Sequence, residues 1–220
     1  MSMRTRVSRP LRLLFGVPTP RLDASPDAIE TDPVPVVELI VYAGDSMASG
    51  RIALVADRVT DLLNDATEFE FADTYLESLD DSHGVLLRTI VVARDEIFAV
   101  AVAGPRGDPT RRTRTRPIPI ELRLGRYDVS GNVHVVPGTD PIIGFRRRRV
   151  MIPLTEATIA FDAPGGRTIS RFGTIVVNRD LTEWIAPATR SDIRPPDRVP
   201  ELAGSGLATD FTLQLANHES

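Results

Sequence analysis

Thr89-Ile-Val-Val-Ala-Arg-Asp95 returns 85 residues later as Thr174-Ile-Val-Val-Asn-Arg-Asp180, with six of seven letters unchanged. Weaker matches keep the same order upstream of both. Glu38-Leu39 answers Glu121-Leu122 at an offset of 83, and Ser49–Val55 answers Ser130–Val136 at 81. Phe69–Leu76 answers Val150–Ile159, ending at 83. Offsets that drift by so little require only small insertions, placed in turns. The spacing argues that one unit of roughly 70 residues is built twice, over 36–104 and 118–187.

Each unit reads as short strands. Val36–Tyr42 and Gly50–Val55 are rich in β-branched residues, with Ile52 and Leu54 alternating. In Asp57–Asn64 the period changes: Val59, Leu62 and Leu63 fall at i, i+3, i+4, the spacing of one or two helical turns. Glu68-Phe-Glu-Phe71 alternates again and opens a strand running toward Leu79. Val85–Val92 and Glu96–Ala103 follow, with Arg94-Asp95 at a bend where aspartate caps the backbone. Asp140-Pro-Ile-Ile-Gly-Phe145 stands in the second unit where Asp61-Leu-Leu-Asn64 stands in the first. The expectation is a mainly β protein of two tandem small five-stranded barrels, each with about one helical turn, because curling removes raw strand edges. One continuous ten-stranded sandwich is the alternative.

The remaining segments are poor in core-forming patterns. Residues 1–35 hold six prolines and read as an arm, with Leu11–Val17 as its apolar patch. Residues 105–117, bounded by prolines and rich in arginine, read as a linker. Residues 188–220 read as a flexible tail in which Phe211–Leu215 is the one strand-like run, either a short strand added to a sheet edge or disordered. The apolar run near the N-terminus is too short and too charged for a signal-peptide core, and no stretch reaches the roughly 18 apolar residues of a membrane helix. The expected location is the cytoplasm.

Gly-x-Ile, Arg-Val-Thr-Asp-Leu-Leu-Asn, Phe-x-Phe-x-Asp and Ile-Val-Val-x-Arg-Asp, in that order, resemble an uncharacterised bacterial family of small Sm-like or SH3-like β-barrel domains. Gly131–Val136 and Met151–Ile159 carry the strand pattern in the second copy. The resemblance covers 36–104 and 117–187 and implies a small barrel fold without catalytic residues. The second copy departs from the pattern at Pro141-Ile-Ile-Gly144, which places its helical turn in question.

Composition excludes several chemistries. The 220 residues include no cysteine, so disulfides, thiolate metal sites and cysteine nucleophiles are absent. All 26 basic residues are arginine. Of three histidines, His83 lies in a turn, His134 on a strand and His218 in the tail, and none has a partner at metal-ligand spacing. Gly165-Gly166 reads as a hairpin turn rather than a phosphate loop. Asp73 and Glu156 are equivalent in the two units, as are Asp95 and Asp180, and such carboxylates catalyse only when held close together. The expectation is no enzyme, no metal and no cofactor.

Charge is the strongest anomaly. Residues 36–104 carry 4 Arg and 13 Asp or Glu, a net of −9, whereas 105–187 carry 14 Arg and 8 acids, a net of +6. Arg111, Arg112, Arg114 and Arg116 cluster in the linker, and Arg146, Arg147, Arg148 and Arg149 precede a strand. Three readings follow: an intramolecular attraction between the units with the Arg run solvated, head-to-tail self-association of oppositely charged units, or RNA held on the basic unit. The leading expectation is an interaction scaffold that self-associates or binds a protein partner, with RNA binding second and no membrane contact.

Overall fold

The computed structural model describes residues 34–102 and 114–188. Ten strands, each antiparallel to its neighbours, form one sheet. In the first half lie β1 (Val36–Ala43), β2 (Ser46–Ala53), β3 (Glu68–Ser78), β4 (Gly84–Ala93) and β5 (Ile97–Val102). In the second lie β6 (Arg116–Leu124), β7 (Tyr127–Val135), β8 (Met151–Ala163), β9 (Gly166–Asn178) and β10 (Trp184–Pro187). Helix α1 (Val59–Asp65) joins β2 to β3, and α2 (Pro141–Arg146) joins β7 to β8. The order across the sheet is β10-β6-β7-β8-β9-β5-β1-β2-β3-β4.

The sheet is not closed into a barrel. The first half runs β5-β1-β2-β3-β4 and the second runs β10-β6-β7-β8-β9, so one connectivity recurs. The separate five-stranded barrels expected from the sequence give way to a shared sheet because β5 pairs with β9 of the other half rather than with its own β4. Ala99, Val100 and Ala101 lie opposite Val177, Val176 and Ile175. The arrangement is nearer to the continuous ten-stranded alternative.

Hairpin registers fix the correspondence between halves. Gly44 and Gly125 open the tight turns β1–β2 and β6–β7 with φ of 54° and 58°, a backbone that favours glycine. The next strand therefore starts at once, and β2 begins at Ser46 rather than at Gly50, where the sequence pattern opened it. Gly50 and Gly131, 81 apart, each sit at a register shift, opposite Asp73-Thr74 and Glu156-Ala157 respectively. Asp73 and Glu156 take φ of 48° and 50°, so each half carries one β-bulge at the same place. Leu39 pairs with Gly50 and Ile120 with Gly131, so the first strands correspond at 81. The Glu-Leu letter match at 83 is thus two residues out of structural register.

Helix α2 forms despite the departure of its sequence. Asp140 caps it, its carboxylate accepting from the amides of Ile142 (2.9 Å) and Ile143 (2.8 Å). Pro141 occupies the first turn, where no amide donor is needed. The linker expected over 105–117 ends before Arg116, since Arg116 and Pro117 already belong to β6. Pro117 and Pro119 are tolerated there because β10 pairs only from Ile120 to Arg123, which leaves the start of β6 with one ladder. The N-terminal arm, most of the linker and the tail with Phe211–Leu215 lie outside the described residues.

Two apolar cores result, one on each side of the central strands. Leu39, Val41, Phe69, Phe71, Ile97, Val100 and Val176 belong to the first. Tyr42, Ala99, Ala101, Tyr127, Phe161, Ile175 and Val177 belong to the second. Strands β1, β5 and β9 thus give alternate residues to different cores. This explains runs such as Ile-Val-Val and Ala-Val-Ala, which are apolar throughout rather than every second residue.

Candidate functional site

The best-defined interface is the seam between halves. Beyond the β5–β9 ladder, two asparagines bond across it. The Asn64 carboxamide donates to the carbonyl of Met151 (2.9 Å) and accepts from the amide of Met151 (3.0 Å). Asn178, 1% exposed, donates to the carbonyls of Arg94 and Ile97, both at 3.0 Å. Ion pairs also cross, Arg126 with Asp80 at 2.6 Å and Arg149 with Asp65 at 2.9 Å, the arginine in each of these coming from the basic half.

The Arg-Asp dipeptides that close the heptapeptide repeat work through their arginines. Each forms a single 3-10 turn, Arg94–Glu96 and Arg179–Leu181, at the expected bend, and in the second the cap comes from Asn178, whose side chain accepts from the amide of Asp180, rather than from the aspartate. Arg94 donates to the carbonyls of Asn64 and Ala66, both at 3.1 Å, at the end of α1. Arg179 donates to the carbonyls of Arg146 (3.3 Å) and Arg148 at the end of α2. A cation here satisfies carbonyls that a helix end leaves free.

The sequence-predicted arginines divide. Arg111 and Arg112 lie outside the described residues. Arg114 and Arg116 are exposed at the start of β6. Arg116 pairs with Val135, and Arg148 donates to the carbonyl of the adjacent His134, so this end of β6 and the α2 segment meet. Arg146 and Arg147 are exposed there, whereas Arg148 is half-buried, and that burial lowers its guanidinium pKa. Arg149 is taken up by Asp65 across the seam. The four-arginine run is therefore three exposed cations, one of them paired with Asp65, and one half-buried, and Arg146 and Arg147 share one end with Arg114 and Arg116.

His134 lies between hydroxyls, Nδ1 3.4 Å from Oγ1 of Thr115 and Nε2 2.8 Å from Oγ1 of Thr155. Among the described residues no cluster of His, Asp or Glu has the makings of a metal site. Asp73 pairs with Arg51, and Glu156 accepts from Asn132 at 2.9 Å, each within its own half. Asp95 and Asp180 are exposed. No helix among the described residues is long and apolar enough to cross a membrane.

Sequence reasoning missed the sheet edges. Strand β4 ends the sheet on one side with Val85 46% and Leu86 66% exposed, and β10 ends it on the other with Trp184 46% exposed. The signal was present in the chain's single tryptophan, standing in the last strand of the repeat. Comparison of the chain with protein-family models, curated proteins and solved structures finds no match.

Proposed function

We propose that the chain is a non-enzymatic interaction scaffold that self-associates head to tail, the basic second half of one copy meeting the acidic first half of the next. One observation carries the reading: the two halves already join by adding β9 to β5, while the counterparts β4 and β10 are left open at the ends of the sheet. A heterologous contact of this kind repeats until it closes a ring or runs on as a filament. Opposite net charge would favour the encounter of unlike halves. The resemblance to small Sm-like and SH3-like barrels belongs to this reading, with the two halves as copies of one five-strand unit.

Sedimentation velocity of the full chain at low and high salt tests it. The expected result is a species several times the 24.1 kDa monomer mass, weakened by salt. A monomer at tens of micromolar in both salts would overturn it.

A second reading is favoured by the gathering of exposed Arg114, Arg116, Arg146 and Arg147 at one end of the second half. Guanidinium groups so grouped suit a phosphate backbone, and the reading is RNA binding through this end. Fluorescence anisotropy with short single-stranded RNA is its test. Binding that weakens with salt and is lost in an Arg146→Ala/Arg147→Ala variant supports it, and no binding at low salt removes it.

A further inference from the structure

We infer that copies join by adding β10 of one chain to β4 of the next in the register of the β5–β9 seam, with Trp184 as the residue inserted into the neighbouring core; this rests on the self-association proposed above. Strand β5 corresponds to β10 at an offset of 85, because Ala99 lies opposite Tyr42 and Trp184 opposite Arg123, each two residues before the turn glycine Gly44 or Gly125. Strand β4 corresponds to β9 at the same offset, because Thr89 lies opposite Ala72 and Thr174 opposite Thr155, each one residue before the bulge. Moving the seam pairs Ala99–Val177, Val100–Val176 and Ala101–Ile175 by 85 places Trp184 opposite Val92, Ile185 opposite Val91, and Ala186 opposite Ile90.

The faces agree residue by residue. Val176 turns away from Ile175 and Val177 and enters the core of the other half, where it is 1% exposed. Its counterpart Val91 also turns away from its own core and is half-buried, with no second half beside it. Ala99 enters the core of the other half, and its counterpart Trp184 stands 46% exposed. Ile185 packs on its own core, as Val100 does. Val91 and Trp184 are therefore the counterparts of residues that the internal seam covers, whereas the exposed Val85 and Leu86 lie beyond the pairs it would make.

Size also matches. In the internal seam the small Ala99 shares a core with Tyr127 and Phe161. The counterparts of those aromatics are Ser46 and Ser78, which face each other across β2 and β3. At the open seam the large residue comes from the incoming strand and the small ones from the receiving half. Trp184 would fill the space that Tyr127 and Phe161 fill inside the chain, as close packing requires.

Trp184 is the only tryptophan, so its emission reads the seam without a substitution. The expected result is a shift to shorter wavelength over the concentration range in which the sedimenting mass rises. The cysteine-free chain allows a second readout. A V91C/I185C variant should form disulfide-linked multimers on oxidation, whereas V91C/A186C, one residue out of register and with Trp184 kept, should not. Multimers in which Trp184 keeps its exposed emission and V91C/I185C stays unlinked would overturn the register and leave self-association standing. A monomer with exposed emission at every concentration would remove both. A monomer whose emission is already short at every concentration would overturn the inference in favour of Phe211–Leu215 of the same chain covering the edge.

Discussion

Asn64 grips the backbone of Met151 with both ends of its carboxamide, donating to its carbonyl at 2.9 Å and accepting from its amide at 3.0 Å. A side chain thereby substitutes for a strand partner at the start of β8 and ties the end of α1 to the other half. Asn64→Ala removes three hydrogen bonds, one of them to the carbonyl of Thr60 within α1, and strands both backbone groups of Met151 in a part-buried place. The expected cost is about 2–3 kcal/mol in urea unfolding. Asn64→Asp keeps an acceptor but loses the donor to the carbonyl and should fall between. A midpoint unchanged in both variants would show that the seam does not depend on this contact.

Arg94 and Arg179 hold the last carbonyls of α1 and α2 in matching fashion. Arg94→Met keeps much of the aliphatic stem and removes the charge-assisted bonds to Asn64 and Ala66. The expected loss is about 1.5–3 kcal/mol, the range for hydrogen bonds to a charged group. Arg179→Met should cost a similar amount, and the two losses should add, since each arginine serves a different helix. Asp95→Asn, at an exposed carboxylate, should stay within about 0.5 kcal/mol of the parent. Thermal unfolding of the parent, the three single variants and the Arg94→Met/Arg179→Met double variant gives the comparison.

The heptapeptide repeat made the strand inventory and the recurring order legible, because Ile-Val-Val-x-Arg-Asp marks the same strand and 3-10 turn in both halves. It did not reveal that β5 leaves its own unit to pair with β9, a contact between strands far apart in sequence. The absence of alternation in Ile-Phe-Ala-Val-Ala-Val was its only trace. Glu38-Leu39 and Glu121-Leu122 misled by two residues because a slip of two in a strand keeps every side chain on its face. The Arg146–Arg149 run read as one patch because neither Asp65 nor the carbonyl of His134 is near it in sequence. Asn64 and Asn178 carried no signal, since an asparagine in a turn and one that anchors a seam look alike as letters.

Gly131 is required for space rather than for a turn. A Cβ there would stand 2.9 Å from the Cβ of Ala157 and 3.2 Å from that of Leu154, both fully buried. Gly131→Ala forces the β-bulge apart and should destabilise by about 1–3 kcal/mol. Gly173 has nothing within 4 Å of the same position and an ordinary φ. Gly173→Ala should be neutral or gain up to about 1 kcal/mol by restricting the unfolded chain. Equal losses in the two variants would mean that strand glycines matter here for a reason other than the close approach at the bulge.

Tyr42 and Tyr127 pack edge to face with ring centroids 5.5 Å apart, and both are essentially inaccessible. The Tyr127 hydroxyl donates to the carbonyl of Gly44 at 3.2 Å, so the phenol is held as a donor. Burial pushes both phenol pKa values well above the ordinary value of 10.0. A folded-state pKa above the unfolded one means that the folded chain keeps a proton the unfolded chain releases. The stabilisation is present in full below pH about 10 and falls as pH rises beyond it. Urea midpoints should therefore hold level with respect to these groups up to pH about 9 and decline steeply above 10. Absorbance of the tyrosinates of Tyr42 and Tyr127 should rise together with the loss of near-ultraviolet circular dichroism. Tyr42→Phe should lessen the alkaline decline while leaving the neutral-pH midpoint nearly unchanged, because its hydroxyl contributes little else. A decline as steep in that variant as in the parent would assign the alkaline transition to other groups.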